Sequence, residues 1–354
     1  MGIYKKGKIR KKGLSRREFF KEAIKGTAAI GCLSIGFNTA WPREERAIIK
    51  EESSKEKIKI IDMARVSTCS ICLNHLPADK AFEIIAAAGY KKVDVHEKVH
   101  FQIFEDLCDP KALKATAEKH GLKIANLATY VGGGLLGRKL MYAFHGWEVP
   151  HPERFTSCGF SSNDPEEQKK EFEQVKRTID LAAFFGSRSV RVFPGNDKPE
   201  TMDKIVPWFK RAADYAAEKG IYLAFENHSS GISGTPELCV ELAEKVGSPY
   251  FGVLYEPGNL MFDTGTDYKA ALKTMIKHVV HCHFKDCKPV GDGYEMQHFG
   301  QGAIDFPWIV EQLNAAGYKG DFALEYELHS PEPEIGIKKF RDDFMALFDK
   351  VINK

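Results

Sequence analysis

From residue 58 onward the chain alternates between two hydrophobic rhythms. Short apolar runs, rich in Val, Ile, Leu and Phe, read as buried parallel strands. The longer segments between them space apolar residues three and four apart, as a helix with one buried face does. Eight runs qualify as strands, at about 65–72, 92–97, 122–128, 188–193, 221–227, 251–256, 279–285 and 321–326. Helical stripes include Phe82, Ile85 and Ala88; Phe172, Val175, Ile179 and Ala182; and Ile337, Phe340, Phe344, Leu347 and Val351. Thr235-Pro236-Glu237 and Asp305-Phe306-Pro307 read as helix starts, a capping side chain followed by an early proline. Glycine punctuates the helix ends at 89, 121, 186, 220, 247 and 317. Two of those intervals are about double the others: one passes an unpunctuated helix end near His278, and the other holds an insertion.

Eight strand–helix units predict an α/β protein built as one (β/α)₈ TIM barrel over 58–354, rather than an open doubly wound sheet. No Gly-x-Gly-x-x-Gly follows the first strand, which removes the signature of a dinucleotide fold. The insertion, residues 130–163, follows the third strand and reads as an irregular lid over the barrel mouth.

Polar residues interrupt the last four strands in a fixed way. VVHCHFKDCKP at 279–289 is polar at His281, His283 and Lys285, every second position, so the three share one face. YLAFENHSS places Glu226 and His228 on one parity, FGVLYEPGNL ends its strand at Glu256, and FALEYE brings Glu325 and Glu327. Glu226, Glu256, His283 and Glu325 thus arrive near the ends of four strands, where a barrel of this kind keeps its chemistry. Three carboxylates forced together repel and rise in pKa unless a cation sits among them. One divalent metal ion satisfies the set, with Mn²⁺ the best match to mainly oxygen ligands and Mg²⁺, Co²⁺ or Zn²⁺ open. Lys285, His228, Asn259 and Arg191 are candidate substrate contacts; a salt bridge between elements is the competing role for Arg191. His281 reads as a hydrogen-bonded core residue one layer deeper, Asp286 as a residue turned away to orient Lys285 or its loop, and His96 and Glu97 stay open between structural and functional roles.

The remaining composition changes little. With 43% hydrophobic and 28% charged residues the chain is of ordinary globular type, and a net charge of +2 gives no field favouring nucleic acid or membrane surfaces. Its eight cysteines are scattered; Cys69 and Cys72 form a lone Cys-x-x-Cys without a second pair, so they read as small core residues rather than a zinc site. The basic excess lies at the N-terminus, KKGKIRKKGLSRREFFK followed by the short apolar GTAAIGCLSIG, the order of an export signal. Ser15-Arg16-Arg17-Glu18-Phe19-Phe20-Lys21 resembles a twin-arginine signal, which implies the twin-arginine export machinery as a partner and a periplasmic destination. Residues 1–40 are read as the signal and 41–57 as a flexible tether, with Cys32 a weak candidate for a lipid anchor and no stable membrane span.

Strands five to eight resemble the xylose isomerase-like barrel superfamily, in its sugar phosphate isomerase/epimerase branch. The matching residues are Phe225-Glu226-Asn227, Pro257-Gly258-Asn259, His283-Phe284-Lys285-Asp286, 299–306 and Leu324-Glu325. The resemblance runs from about 60 to 350 and is specific only within 222–327. It implies one metal ion held by Glu226, Glu256, His283 and Glu325, with Glu226 and Glu325 exchanging protons beside a carbonyl through a metal-stabilised enediolate. Two positions depart from it: Glu256 stands where the family has Asp, and Gln301 where it has Glu. Asn259 replaces the histidine that a related DNA-repair nuclease would need there, so no nucleic-acid partner is expected. Export favours an unphosphorylated keto-sugar as the small-molecule substrate. A 3-keto-glycoside cleaved by β-elimination and a sugar-binding barrel without catalysis are the alternatives; a homo-oligomer packed through outer helices is open.

Overall fold

The computed structural model describes residues 61–352 apart from 99, 144, 229 and 292. The segments read as an export signal and a tether, with Cys32, lie outside the described residues.

In chain order the elements are β1 (Val66–Cys69), α1 (Ala78–Ala87), β2 (Lys92–His96), α2 (Pro110–Lys119), β3 (Lys123–Val131), α3 (Gly134–Ala143) and α4 (Pro165–Phe185). They continue as β4 (Ser189–Val192), α5 (Met202–Lys219), β5 (Tyr222–Glu226), α6 (Pro236–Val246), β6 (Phe251–Tyr255), α7 (Tyr268–Met275) and β7 (Val279–Phe284). A hairpin, β8 (Asp286–Val290) and β9 (Gly293–Gln297), precedes α8 (Phe306–Ala315), β10 (Phe322–Leu324) and α9 (Pro333–Ile352). Eight parallel strands close into a barrel in the order β1-β10-β7-β6-β5-β4-β3-β2. The (β/α)₈ architecture expected from the alternation is therefore present, with β10 as the eighth stave.

Helix signals act locally as physics requires. Asp109, Asp164 and Asp305 accept backbone N–H bonds at the starts of α2, α4 and α8. Gly186 and Gly220 end α4 and α5 in the left-handed conformation at φ 73° and 69°. Thr235 precedes α6 as expected, but its hydroxyl donates to the Gly231 carbonyl (2.9 Å) instead of capping the helix. The apolar stripes pack on the outside of the barrel: Phe82, Ile85, Val175, Ile179, Phe340 and Phe344 are all buried. On the last helix the stripe drifts from Leu347, half-exposed, to Phe348, buried.

Two elements exceed the sequence reading. The insertion is not wholly irregular, since it carries α3, and the loop after β7 is an antiparallel hairpin. Inside the barrel the lower layer is polar rather than aliphatic. Ser67, Asp94, Asn126, Ser189 and His281 are buried there and hydrogen-bond among themselves, while Asn126 Nδ2 and His281 Nδ1 have no partner. Ser67 Oγ donates to Asp94 Oδ1 (2.8 Å), Ser189 Oγ to Asn126 Oδ1 (2.9 Å), and His281 Nε2 meets Asp94 Oδ2 (2.6 Å).

Candidate active site and metal centre

The register of the staves sets the upper layer. β10 pairs with β7 so that Ala323 lies beside His283, and two residues on, Glu325 stands just past the end of β10. β5 ends on Glu226 itself, paired with Leu254 of β6, so Glu256 follows just beyond its strand. His283 lies between the first two carboxylates. Its Nδ1 is 3.4 Å from Glu226 Oε1 and 3.4 Å from Glu325 Oε1, and all three side chains are buried. Yet that Nδ1 makes no hydrogen bond of acceptable geometry.

Each carboxylate divides its oxygens between the centre and a fixed cation. Glu226 Oε2 takes Arg191 Nη1 at 2.9 Å, while Arg191 also donates to the Thr129 and Ala128 carbonyls and lies 4.3 Å over the Tyr130 ring. Glu325 Oε2 takes Lys285 Nζ at 2.7 Å, and the same ammonium reaches Glu327 Oε1 at 2.8 Å. Burial alone would raise both acids; Arg191 and His283 at Glu226, and Lys285 and His283 at Glu325, reverse this and hold them ionised well below the carboxylate range. Burial would strip His283 of its proton, but Glu325, Asp94 and Glu226 keep the ring cationic far above its ordinary range.

Glu256 differs. Its Oε1 accepts the Gly258 backbone N–H (2.7 Å), capping the short turn Pro257–Asn259, and its buried Oε2 has no hydrogen-bond partner. Burial pushes this carboxyl well above its usual range, Lys285 opposing and Glu325 reinforcing. Among the described residues the ligand-type atoms of Glu226, His283 and Glu325 lie within 4.8 Å of one another, and Glu256 is not in that group. Of the four expected ligands, three converge and the fourth stands aside.

The three fit a metal ion. Donors about 2.1 Å from a cation in tetrahedral or octahedral geometry lie roughly 3.0–3.5 Å apart, which matches the two 3.4 Å spacings. The ring nitrogen between them lacks a hydrogen bond, the condition of a ligand atom.

The other expected residues fall around this centre. His228 Nδ1 is 3.3 Å from Asp263 Oδ2, and Asn259 Nδ2 donates to the Asn227 carbonyl at 3.3 Å. Asp286 faces away and gathers backbone N–H groups of Cys287, Gly300, Gly302 and Ile304, closing the base of the hairpin. Burial lifts its carboxyl to about 6, against those four donors. On the far side of the mouth Glu97 pairs with Arg138 of α3: Arg138 Nε lies 2.7 Å from Oε1 and Nη2 3.0 Å from Oε2. Tyr130 N and Tyr142 Oη complete the Glu97 carboxylate, so the insertion is fastened to the end of β2. His96 packs there against Tyr130, Tyr142 and Trp147, kept neutral well below its usual range by burial and by Arg191. Between the loops after β4 and β5, buried Asp197 takes the Ser233 hydroxyl and backbone N–H, and burial, opposed by those bonds, lifts it to about 7. Cys69 and Cys72 are buried and free.

A family model for xylose isomerase-like TIM barrels matches residues 82–343. The chain belongs to that family. Among curated relatives, inosose dehydratase of Geobacillus thermodenitrificans is 31% identical over 144 residues, 36% of this chain and 48% of the relative. L-ribulose-5-phosphate 3-epimerase of Salmonella paratyphi B is 26% identical over 187 residues, 51% of this chain and 65% of the relative. The matches thus span about half to two thirds of those relatives' lengths. Among solved xylose isomerase-like barrels, the IolI protein with a bound zinc atom superposes with a TM-score of 0.62 at 15% identity, covering 81% of this chain and 98% of that one. The 3-keto-D-glucoside 4-epimerase of E. coli gives 0.56 at 16%, covering 80% and 98%. These superpositions establish the barrel. These two curated relatives are a dehydratase and a 3-epimerase.

The site was partly missed by sequence reading. Asp94 lies 3.2 Å from His283 Nε2 and 2.6 Å from His281 Nε2, a contact across the barrel. The alternation in KVDVH carries the same signal as VVHCHF.

Proposed function

We propose that this protein is a divalent-metal-dependent sugar epimerase or isomerase that removes a proton beside a carbonyl of an unphosphorylated keto-sugar. The observation that carries the reading is the placement of His283 Nδ1 at 3.4 Å from one oxygen of Glu226 and one of Glu325. Glu226, His283 and Glu325 would hold the ion, and Glu256, just past the end of β6 with an unpartnered oxygen, is the candidate for a fourth ligand. When bound, a divalent ion there would act as a Lewis acid on the substrate carbonyl and lower the acidity barrier of the neighbouring C–H. Glu325 takes that proton; a proton taken up from solvent on the Glu226 side, where the carboxylate rests ionised, is then delivered to the opposite face, which inverts the centre and leaves the proton on Glu325 to return to solvent. Returning the proton to the adjacent carbon gives isomerisation. Lys285 brings positive charge to the side of the site where negative charge develops, and Arg191 keeps Glu226 ionised and oriented. His228 and Asn259, beside the ends of β5 and β6, are the residues assigned to substrate hydroxyls in this reading.

The N-terminal basic–apolar sequence supports export by the twin-arginine route, and a sugar met outside the cytoplasm is more plausibly unphosphorylated. A second reading is elimination: the relative at 31% identity is a dehydratase, and proton removal beside a ketone serves β-elimination from a 3-keto-glycoside equally. Incubation of the manganese-loaded protein with a panel of keto-sugars in deuterium oxide tests both. Deuterium beside the carbonyl with an inverted or shifted product supports epimerisation or isomerisation, a released aglycone supports elimination, and no exchange with any sugar defeats the enzyme reading.

A further inference from the structure

We infer that Asp94, from a strand three staves round the barrel, is the positioning residue that fixes which nitrogen of His283 faces the metal centre. The inference rests on the metal reading above and adds a residue to it. Asp94 sits on β2, fully buried, and its two oxygens are already committed. Oδ1 accepts from Ser67 Oγ on β1 at 2.8 Å. Oδ2 lies 2.6 Å from His281 Nε2 and 3.2 Å from His283 Nε2, both on β7. Three strands therefore immobilise one carboxylate.

An imidazole that gives one N–H to a carboxylate turns its other nitrogen to a metal, which takes the place of that nitrogen's proton, so the ligating atom and its direction are fixed. For His283 that other nitrogen is Nδ1, between the Glu226 and Glu325 oxygens. His281 then has a reason to be in the strand. It anchors the same oxygen, and its ring stands edge-on to His283 at 5.4 Å and 75°. Asp94, His281 and His283 also fall within 4.8 Å of one another, the spacing of a metal cluster in their own right. Their contacts favour hydrogen bonding instead: 2.6 and 2.8 Å at Asp94 are ordinary charge-assisted lengths, whereas Nδ1 of His283 has no hydrogen bond. The deep side of the ring is filled and the mouth side is offered.

Asp94→Asn keeps the side chain's shape but cannot accept from both histidines with a full charge. Binding of Mn²⁺ and Co²⁺ to the purified chain, followed by calorimetry and by the visible spectrum of Co²⁺, reads the effect on folded protein directly. Loss of an outer carboxylate partner weakens metal binding about 10- to 100-fold, and that loss with an altered Co²⁺ spectrum is the expected result. Ser67→Ala, which removes one bond to Asp94 and little volume, should shift affinity the same way by a smaller factor; it decides the question should Asp94→Asn not fold. Unchanged affinity and spectrum in the folded variants overturn the inference and leave the metal reading intact. Two ions per wild-type chain overturn it as well, because Asp94 would then be a ligand. A wild-type chain that binds no divalent ion defeats the metal reading and this inference together.

Discussion

Arg191 Nη1 lies 2.9 Å from Glu226 Oε2, while the other oxygen of that carboxylate faces His283 Nδ1 at 3.4 Å. A guanidinium does not lose its proton in a protein, so Glu226 is held ionised in a fully buried setting. Removing the cation by Arg191→Met leaves an uncompensated charge, a change of about 3–5 kcal/mol at buried pairs. Urea unfolding should show a loss of that order without metal, and saturating Mn²⁺ should restore part of it. An unfolding midpoint equal to wild type would mean that the pair contributes nothing.

At the other flank Glu325 shares its oxygens between Lys285 and the centre. Glu325→Gln removes the proton acceptor of the proposed reaction while keeping the shape. The expected result is a fall in kcat of about 10²–10⁴ and loss of solvent deuterium incorporation, read by mass spectrometry. Incorporation at the wild-type rate would place the base elsewhere.

Asp197 supplies a pH dependence whose sign follows from its surroundings. Its folded pKa is lifted to about 7 from the ordinary 3.8, chiefly by burial. The folded chain therefore holds that proton more tightly than the unfolded one, and the stabilisation is complete below about pH 4 and lost as pH rises towards 7. The span is on the order of 4 kcal/mol. Asp197→Asn, neutral at every pH, should flatten the wild-type decline in stability between pH 4 and 7; an equally steep decline in both chains would assign the slope to other groups.

The buried Glu97–Arg138 pair should carry the insertion. Arg138→Met strands Glu97 beneath α3 and is expected to destabilise the protein by about 3–5 kcal/mol, with faster proteolysis confined to 132–162 if the barrel itself stays folded. Replacing both residues with apolar ones of similar size should recover much of the loss in thermal unfolding.

The alternation of apolar strands and helical stripes made the eight staves legible, because each rhythm reflects a geometric period of the backbone. Glu226, His283 and Glu325 were legible for the same reason: each breaks an apolar run on the parity that faces the axis. Asp94 breaks KVDVH in the same manner, but the sequence does not say that β2 reaches across to β7, a relation set by closure of the ring. The aim of the Glu256 side chain was equally hidden, since its strand position matches the others while a local bond to Gly258 N turns one oxygen aside. Arg138 meets Glu97 from 41 residues away inside a stretch without periodicity. The hairpin had a signal in Val-Gly-Asp-Gly-Tyr, countered by Pro289, which strands accept mainly at edges.

Asp286, the first residue of the hairpin, ties it to the chain that follows through the amide groups of Gly300, Gly302 and Ile304, and Gly302 leaves no room for a side chain there, since an added Cβ would collide with the Asp286 carboxylate. The hairpin enclosed between Cys287 and Phe299 has an exposed tip at Val290, outside the bonds that fix Asp286 beside Lys285. A change of sequence at that tip would alter the rim of the candidate site while the strand ends that carry Glu226, His283 and Glu325 keep their register.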